Sequence, residues 1–335
     1  MREPEFWWRP GSGGMLRPLA AVYGAVAALR MQTPGQRVGV PVICLGDLTV
    51  GGAGKTPAAL AVGELLLGAR ERPFFLSRGY GGRLAGPLRV DPAVHSAAAV
   101  GDEPQLLAHL APTVVAHDRV AGAKAAQLAG ANVIVMDDGF QNPALKKDLA
   151  ILLVDGRRGV GNGRVIPAGP LRAPLETQIA QAQALVMVGP PAGAVTVAQL
   201  ARRHGVAIFH GRLEPDRRTV AELGTRKALA FAGIGDPEKF FATLADAGIN
   251  VAKRLSFPDH HRYTATEAQA LIARADTADL TLLTTEKDFA RLASDPHVAE
   301  LAARARALPV RLVIEEAEAF RQLILRVVQR SARNN

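Results

Sequence analysis

The chain has 335 residues and a formal net charge of +9, a length that suggests two domains, each with its own core. Its single cysteine, Cys44, excludes an internal disulfide and fits a reducing compartment. The basic charge favours phosphorylated ligands or an anionic membrane over nucleic acid, because aromatic residues make up only 5% of the chain and no RNA-binding or zinc-finger pattern occurs.

The first part of the chain contains both tryptophans, Trp7 and Trp8, and an apolar segment from Leu19 to Leu29 between Arg17 and Arg30. This segment is too short to span a bilayer, and no signal-peptide cleavage pattern follows it. Two interpretations remain open. The segment is either a helix packed on the following domain or an interfacial helix whose neighbouring tryptophans and arginines meet lipid headgroups.

A phosphate-binding loop is predicted next. The apolar run from Val38 to Leu45 predicts a buried strand, a glycine-rich turn follows, and a helix is predicted over about residues 56–69. This order is typical of a P-loop, in which Lys55 would reach the β- and γ-phosphates and Thr56 would help to hold Mg²⁺. The common motif has a glycine where this chain has Thr49. The residues predicted to bind the nucleotide are Thr49, Gly51, Gly52, Ala53, Gly54, Lys55 and Thr56.

The second predicted strand, Pro73–Ser77, runs into a glycine-rich loop with an arginine at each end, Arg78–Arg83. This loop is either a flexible surface loop or a ligand-binding loop. The second interpretation is favoured, because ligands of open α/β sheets bind at the carboxyl ends of strands and this loop would emerge beside the P-loop.

Two acidic pairs follow at the ends of predicted elements. Asp102 and Glu103 open a short helix, where they either complement the helix dipole or act as a base and as a metal-binding or orienting group. Asp137 and Asp138 follow the apolar strand 132–136, which is the pattern of a Walker B carboxylate. Adjacent aspartates also occur in ordinary turns, but a position beside a P-loop favours a role at Mg²⁺.

Predicted strands recur at α/β spacing, and a polar stretch around residues 210–226 separates two series of them. The predicted fold is therefore α/β, with a P-loop NTPase-like three-layer domain that has a mostly parallel sheet and a smaller C-terminal α/β domain. The second series has predicted strands near residues 227–232, 250–255, 280–285 and 309–314. The predicted divisions are an N-terminal helix region (1–37), the P-loop domain (38–212), a junction (213–226) and the smaller domain (227–335).

A set of short stretches extends over nearly the whole chain. They are Gly46-Asp-Leu-Thr-Val-Gly-Gly-Ala-Gly-Lys-Thr-Pro57, Ser77-Arg-Gly-Tyr-Gly-Gly82, Gly101-Asp-Glu-Pro104, Asp137-Asp-Gly-Phe-Gln141, Pro167-Ala-Gly-Pro-Leu-Arg172, Phe257-Pro-Asp-His260 and Thr285-Glu-Lys-Asp288. In this order they resemble the tetraacyldisaccharide 4′-kinase family of lipid A biosynthesis. Each stretch is weak by itself, but the ordered set is specific, and the glycine spacing of the P-loop is the one that this family shows.

The resemblance implies an enzyme that uses Mg²⁺ and ATP to phosphorylate the 4′-hydroxyl of a lipid-linked glucosamine disaccharide 1-phosphate, giving lipid IVA. It also implies a peripheral protein on the cytoplasmic face of the inner membrane. It therefore favours the interfacial, membrane-proximal interpretation of the helix near residues 15–30, and no nucleic acid is expected as a partner.

The resemblance also assigns residue roles. Asp102 is the predicted base, paired with His260 of the second domain, while Lys55 and Arg172 would offset charge on the transferred phosphoryl group. The neighbouring His261 is set aside because Asp259 directly precedes His260, as in the family. The residues predicted around Mg²⁺ are Thr56, Glu103, Asp137 and Asp138. The residues predicted to bind the lipid substrate are Arg78, Gly79, Tyr80 and Arg83.

Two other classes of protein remain as alternatives. A regulatory P-loop NTPase would hydrolyse nucleotide to switch the binding of a partner, and it would not transfer phosphate to a lipid. A basic nucleic-acid-binding protein would bind DNA or RNA with a steep dependence on salt.

Overall fold

The structure is a computed structural model that describes residues 3–334, with side chains described as far as residue 330. In chain order its strands are β1 (Val42–Asp47), β2 (Pro73–Ser77), β3 (Leu88–Arg89), β4 (Thr113–Val115), β5 (Val133–Asp137), β6 (Leu149–Asp155), β7 (Ala184–Val188), β8 (Ala207–Pro215), β9 (Ala228–Ala232), β10 (Val251–Ser256), β11 (Thr281–Thr285), β12 (Arg306–Leu308) and β13 (Val310–Ile314). Its helices are α1 (Arg17–Gln32), α2 (Lys55–Gly68), α3 (Ala97–Val100), α4 (Asp102–Ala108), α5 (Arg119–Leu128), α6 (Leu175–Ala180), α7 (Val195–Arg203), α8 (Arg217–Leu223), α9 (Pro237–Asp246), α10 (Ala265–Thr277), α11 (Glu286–Ala293), α12 (Ala299–Arg304) and α13 (Ala317–Asn334).

The larger sheet has the strand order β13-β8-β7-β6-β1-β5-β2-β4-β3. Neighbouring strands pair in parallel except at the two edges, where β13 with β8 and β3 with β4 are antiparallel. Its central strands are short apolar runs buried along their length, as expected for parallel strands covered on both faces. Because β1 lies between β5 and β6, the carboxyl ends of these strands meet at one crevice, where such sheets bind ligands.

The first predicted strand is displaced in the structure. The apolar run from Val38 to Leu45 was expected to form it, but β1 begins at Val42 and continues to Asp47. Pro41 directly precedes β1 and has no N–H to donate to a neighbouring strand, which accounts for the later start. The extension to Asp47 places a carboxylate at the strand end that faces the P-loop.

The smaller sheet forms a second lobe. Its order is β10-β9-β11-β12, and all neighbouring strands are parallel. One face of this sheet packs against a core that contains Phe231, Tyr263 and Leu271, and the other packs against a core that contains Phe240 and Leu244. The predicted smaller α/β domain therefore has a sheet and cores of its own.

The end of the chain differs from its predicted placement in the smaller domain, 227–335. The strand predicted at 309–314 exists as β13, but it pairs antiparallel with β8 of the larger sheet, which itself runs beyond residue 212 to Pro215. In α13, Phe320, Ile324 and Val328 recur at helical spacing and are buried in the core that also contains residues of α2. Strand periodicity does not specify which sheet a strand joins, so this return to the first domain requires the tertiary structure.

Helix α1 packs on the larger domain through its small side chains. Ala20 and Gly24 are buried, and a Cβ on Gly24 would lie 3.6 Å from Pro174. Most of the large apolar side chains of the helix stay exposed, with Leu19 61% and Leu29 67% exposed, whereas Met31 at its end is buried. One face of the helix therefore packs on the domain, and the interfacial interpretation of the other, uncovered face stays a prediction.

Candidate active site

The P-loop lies between β1 and α2, as its sequence predicts. Gly51 and Gly54 have φ values of +93° and +104°, a left-handed conformation that glycine adopts without a steric penalty. Helix α2 begins at Lys55, directly after Gly54, so its free N–H groups point into the crevice where an anion is favoured.

Lys55 is held by carboxylates at the ends of two neighbouring strands. Its Nζ forms an ion pair with Asp47 and lies 3.9 Å from Asp138 Oδ2. Burial acts to lower the pKa of Lys55, but the two carboxylates outweigh it and hold the pKa above its usual value. The ammonium group is therefore charged and fixed beside the P-loop.

Arg172 reaches the same place from the loop before α6. Its backbone N donates to Leu48 O at 3.0 Å, and its Nε donates to Thr49 O at 3.0 Å. Its Nη1 donates to Asp138 Oδ1 at 2.8 Å. The guanidinium is thereby aligned with the P-loop, and Asp138 joins Arg172 to Lys55.

A group of buried oxygen atoms near Lys55 has no hydrogen-bond partner among the described residues: Asp47 Oδ1, Thr56 Oγ1 and Asp137 Oδ1. Burial is the main cause that raises the pKa of Asp137 to about 7. Unpaired buried oxygens are costly, and hard oxygen ligands are those that Mg²⁺ takes. These three residues fit a Mg²⁺ held by few protein oxygens together with phosphate and water.

The described residues 3–334 include no group of three or more His, Cys, Asp or Glu side chains arranged as a complete metal site. Two of the acids predicted around Mg²⁺ are engaged by cations instead. Asp138 pairs with Arg172, and Glu103 accepts a hydrogen bond from Lys287 Nζ at 2.8 Å. Although burial opposes it, the Lys287 charge lowers the pKa of Glu103 to about 2.

The predicted pair of Asp102 and His260 is present. His260 Nδ1 lies 3.0 Å from Asp102 Oδ2, although the two residues come from different lobes. The hydrogen bond with Asp102 is the main cause that raises the pKa of His260, against the effect of burial. A third residue, Arg291, donates from Nε to the same Oδ2 at 2.7 Å.

The cleft between the lobes has a volume of about 710 Å³ and is lined by the P-loop, Glu103, Asp137, Asp138, Arg172 and His260. Of the residues predicted to bind the lipid, Arg78 and Tyr80 line this cleft, but Gly79 and Arg83 do not. The Tyr80 ring lies 5.2 Å from the His260 ring. The structure therefore brings one half of the predicted basic loop to the site.

Three charged residues of the site were not predicted to belong to it: Asp47, Lys287 and Arg291. Asp47 ends an apolar run, which is the same signal that indicated Asp137. Lys287 lies within the stretch Thr285–Asp288, which supported the resemblance without a role of its own. Arg291 carries no local signal except its position four residues after Lys287 on one helix, which places both on one face.

Comparison with known proteins decides the family. A profile of the tetraacyldisaccharide-1-P 4′-kinase family matches residues 13–329. The chain belongs to this family. The resemblance inferred from the ordered motifs is therefore confirmed.

Individual relatives agree with this assignment. A tetraacyldisaccharide 4′-kinase of Rhodopseudomonas palustris strain BisB18 is 54% identical over 327 residues, which are 97% of this chain and 95% of that protein. The tetraacyldisaccharide 4′-kinase of Methylobacterium radiotolerans is 54% identical over 328 residues, with 97% and 98% covered.

A solved structure is similar as well. The crystal structure of LpxK from Aquifex aeolicus in complex with ATP superimposes with a TM-score of 0.70 and 29% sequence identity, covering 94% of this chain and 99% of that one. The predicted α/β fold with a P-loop domain is confirmed by this likeness.

Proposed function

We propose that this chain uses ATP to phosphorylate the 4′-hydroxyl of a tetraacyldisaccharide 1-phosphate, giving lipid IVA in lipid A biosynthesis. The family membership supports the reaction. The observation that carries it in the structure is one cleft that is lined by the P-loop with Lys55 and Arg172 and by His260, which bonds to Asp102. A nucleotide and a hydroxyl acceptor can meet in this arrangement.

ATP is proposed to bind with its phosphates along the P-loop and its base in the apolar part of the cleft. That part is lined by Leu213, Ile234, Phe240, Leu308 and Val310. Apolar side chains suit the flat faces of a base, while the P-loop N–H groups suit the phosphates. The two ends of the nucleotide therefore match two chemically different parts of one cleft.

Lys55 and Arg172 are proposed to stabilise charge on the transferred phosphoryl group, which is most of what catalysis of this reaction requires. Mg²⁺, when bound, neutralises phosphate charge and orients the γ-phosphoryl group. Thr56, Asp47 and Asp137 would hold it, because their buried oxygens lack partners among the described residues. Glu103 and Asp138 were also predicted to surround the metal. We propose that they instead hold Lys287 and Arg172 in place beside it.

Asp102 is proposed to accept the proton of the attacking hydroxyl group. The contacts from His260 and Arg291 both use Oδ2, so neither of them engages Oδ1. A carboxylate held in this way can orient the hydroxyl and take its proton as the P–O bond forms. His260 then stabilises the carboxylate from the second lobe.

The chain is proposed to act at the cytoplasmic face of the inner membrane, with α1 at the lipid surface. Its exposed apolar residues include Leu19, Val22, Val26 and Leu29. Their spacing of three and four residues places them on one helix face, which suits the interface of a bilayer. Arg30 at the end of α1 also lines the cleft, so a lipid held by this helix has a direct route to the site. None of the helices within residues 3–334 is both long and apolar enough to cross a membrane.

The test is the transfer of labelled γ-phosphate from Mg²⁺-ATP to a tetraacyldisaccharide 1-phosphate in detergent micelles. A labelled bisphosphorylated lipid is expected. Its yield should fall by about 100- to 1,000-fold in Lys55→Ala, because a positioned charge at the transferred group is lost. Lys124→Ala, which removes an exposed lysine on α5, is the matched control and should behave as the parent protein does.

A protein that binds ATP but labels no lipid would contradict the proposed function. Hydrolysis that responds to a protein partner instead of to the lipid would then favour a regulatory NTPase. Steeply salt-dependent binding of DNA or RNA would favour the nucleic-acid alternative.

A further inference from the structure

We propose that Arg291 is the positioning residue of the Asp102–His260 pair: one guanidinium from the second lobe holds both the carboxylate and the loop that carries the imidazole. This inference rests on the proposed kinase function and extends it to a residue that never needs to touch either substrate.

The first contact is with Asp102. Arg291 Nε donates to Asp102 Oδ2 at 2.7 Å, and both side chains are more than nine-tenths buried. His260 Nδ1 uses the same oxygen at 3.0 Å. Because both partners bind Oδ2, turning the carboxylate out of this position would break two charge-assisted contacts.

The second set of contacts is with the loops around His260. Arg291 Nη1 donates to Gly233 O at 3.0 Å and to His261 O at 3.3 Å. The His260 backbone N donates to the same Gly233 O at 3.1 Å. His260 has a φ of +54°, an uncommon conformation for a side-chain-bearing residue that surrounding contacts must maintain. Arg291 therefore bonds to the residue that follows His260 and to the carbonyl that accepts from the His260 backbone N.

Arg291 is itself fixed by a buried carboxylate. Its Nη1 lies 2.8 Å from Asp288 Oδ1, and Asp288 is fully buried. Asp288 also accepts from Tyr263 at 3.0 Å, from Thr285 at 2.6 Å and from the backbone N of Gly233. With so many partners the carboxylate has one orientation, and the arginine is held in place before any ligand binds.

Only arginine can make this set of contacts. Its planar guanidinium presents several donors in fixed directions, whereas lysine presents one compact charge. A lysine at position 291 would retain the positive charge but would not bind the carboxylate and the loop carbonyls together. Two substitutions therefore distinguish the charge of Arg291 from its geometry. Arg291→Lys keeps the charge and loses the planar set of donors, whereas Arg291→Gln loses both.

The experiment measures kcat and KM for both variants in the phosphoryl-transfer assay. Arg291→Lys and Arg291→Gln are each expected to lower kcat by about 10- to 100-fold, because a small displacement of a reacting group is sufficient for such a loss. The KM for ATP should stay within about twofold, since Arg291 is not among the residues that line the cleft. Arg304→Gln is the matched control, because Arg304 pairs with Asp276 on the outside of the same lobe, and its kcat should be unchanged.

A double-variant cycle with Asp102→Ala separates positioning from a general effect on folding. If Arg291 acts through Asp102, adding Arg291→Lys to Asp102→Ala should lower kcat by much less than it does alone. Full multiplication of the two losses would overturn the proposal. The thermal unfolding midpoint of each variant is measured as well, to check that each variant is folded under the conditions of the assay.

A measurement that does not depend on enzyme activity tests this proposal separately from the proposed function. The ring resonances of His260, assigned in NMR spectra with His260→Ala, should move in Arg291→Lys and Arg291→Gln but not in Arg304→Gln. If the wild-type protein labels no lipid, the proposed function fails and the resonances still report on the positioning. If the resonances stay in place and kcat is unchanged while the lipid is labelled, Arg291 is not the positioning residue.

Discussion

At the scale of single residues, Gly46 connects the central strand to the acidic turn. It lies in β1, and a Cβ at this position would collide with Phe140 of the turn that follows Asp137 and Asp138. Phe140 is buried in the core beneath that turn. The placement of both aspartates therefore depends on a neighbouring residue that has no side chain.

We predict that Gly46→Ala destabilises the protein by about 1–3 kcal/mol through overpacking and lowers phosphoryl transfer by displacing the acidic turn. Denaturant unfolding and the transfer assay measure the two effects. Gly68→Ala is the control, because nothing lies within 4 Å of a Cβ at that helix position and alanine there should stabilise by about 0.5–1 kcal/mol. A Gly46→Ala protein of unchanged stability would show that the turn can move aside at little cost.

At the scale of elements, α1 shows an unusual division of its apolar residues. Ala20 and Gly24 are buried against the domain, whereas the larger residues Leu19, Val22 and Leu29 face outward. A soluble helix normally buries its large apolar side chains, so the exposed face is best explained by a surface outside this chain. The proposal that this surface is a bilayer can be tested by substitutions that are confined to α1.

We predict that replacing Leu19, Val22 and Val26 together by serine lowers binding to anionic phospholipid vesicles by at least about tenfold, because each of these side chains would lose favourable burial in lipid. Sedimentation with vesicles measures the binding. Leu128→Ser on α5 removes a side chain that is 89% exposed elsewhere and should leave binding as it is. Equal sedimentation of the triple variant and its parent would assign α1 to packing only.

At the scale of the whole molecule, the site is completed only when the two lobes meet. Asp102 and Glu103 belong to α4 of the first domain, while His260, Lys287 and Arg291 belong to the second lobe. The contacts between these groups are ionic, so the apposition of the lobes should respond to pH.

We predict that the contribution of His260 to stability is greatest at acidic pH. Its hydrogen bond with Asp102 raises its pKa above the ordinary value of 6.5, so the folded protein binds a proton more tightly than the unfolded chain does. That stabilisation, about 1 kcal/mol for a partly exposed pair, is fully present below pH 6.5 and is lost as the pH rises through the folded pKa. Unfolding of the parent and of His260→Gln between pH 5.5 and pH 9 measures it. A stability difference between the parent protein and His260→Gln that grows with pH would contradict this prediction. Asp102→Asn cannot stabilise an imidazolium in the same way, so it should abolish the pH dependence of that difference.

Most of the fold could be predicted because local patterns decide it. The apolar run that becomes β2 matches its predicted bounds, and glycines followed by Lys55 and Thr56 predict the P-loop through backbone chemistry alone. The predicted placement of β13 was wrong because an amphipathic strand can pair with either sheet, and only the burial of Leu312 and Ile324 in the larger core selects one.

The sequence by itself determined the family, the α/β class and the position of the P-loop, because each follows from short stretches of neighbouring residues. Only the tertiary structure decided which cation binds which acid. Arg291 and Asp102 are far apart in the chain, and nothing local to either residue indicates their contact. The folding of two separate cores brings them to 2.7 Å, because a charged side chain that becomes buried must find an opposite charge wherever the fold supplies one.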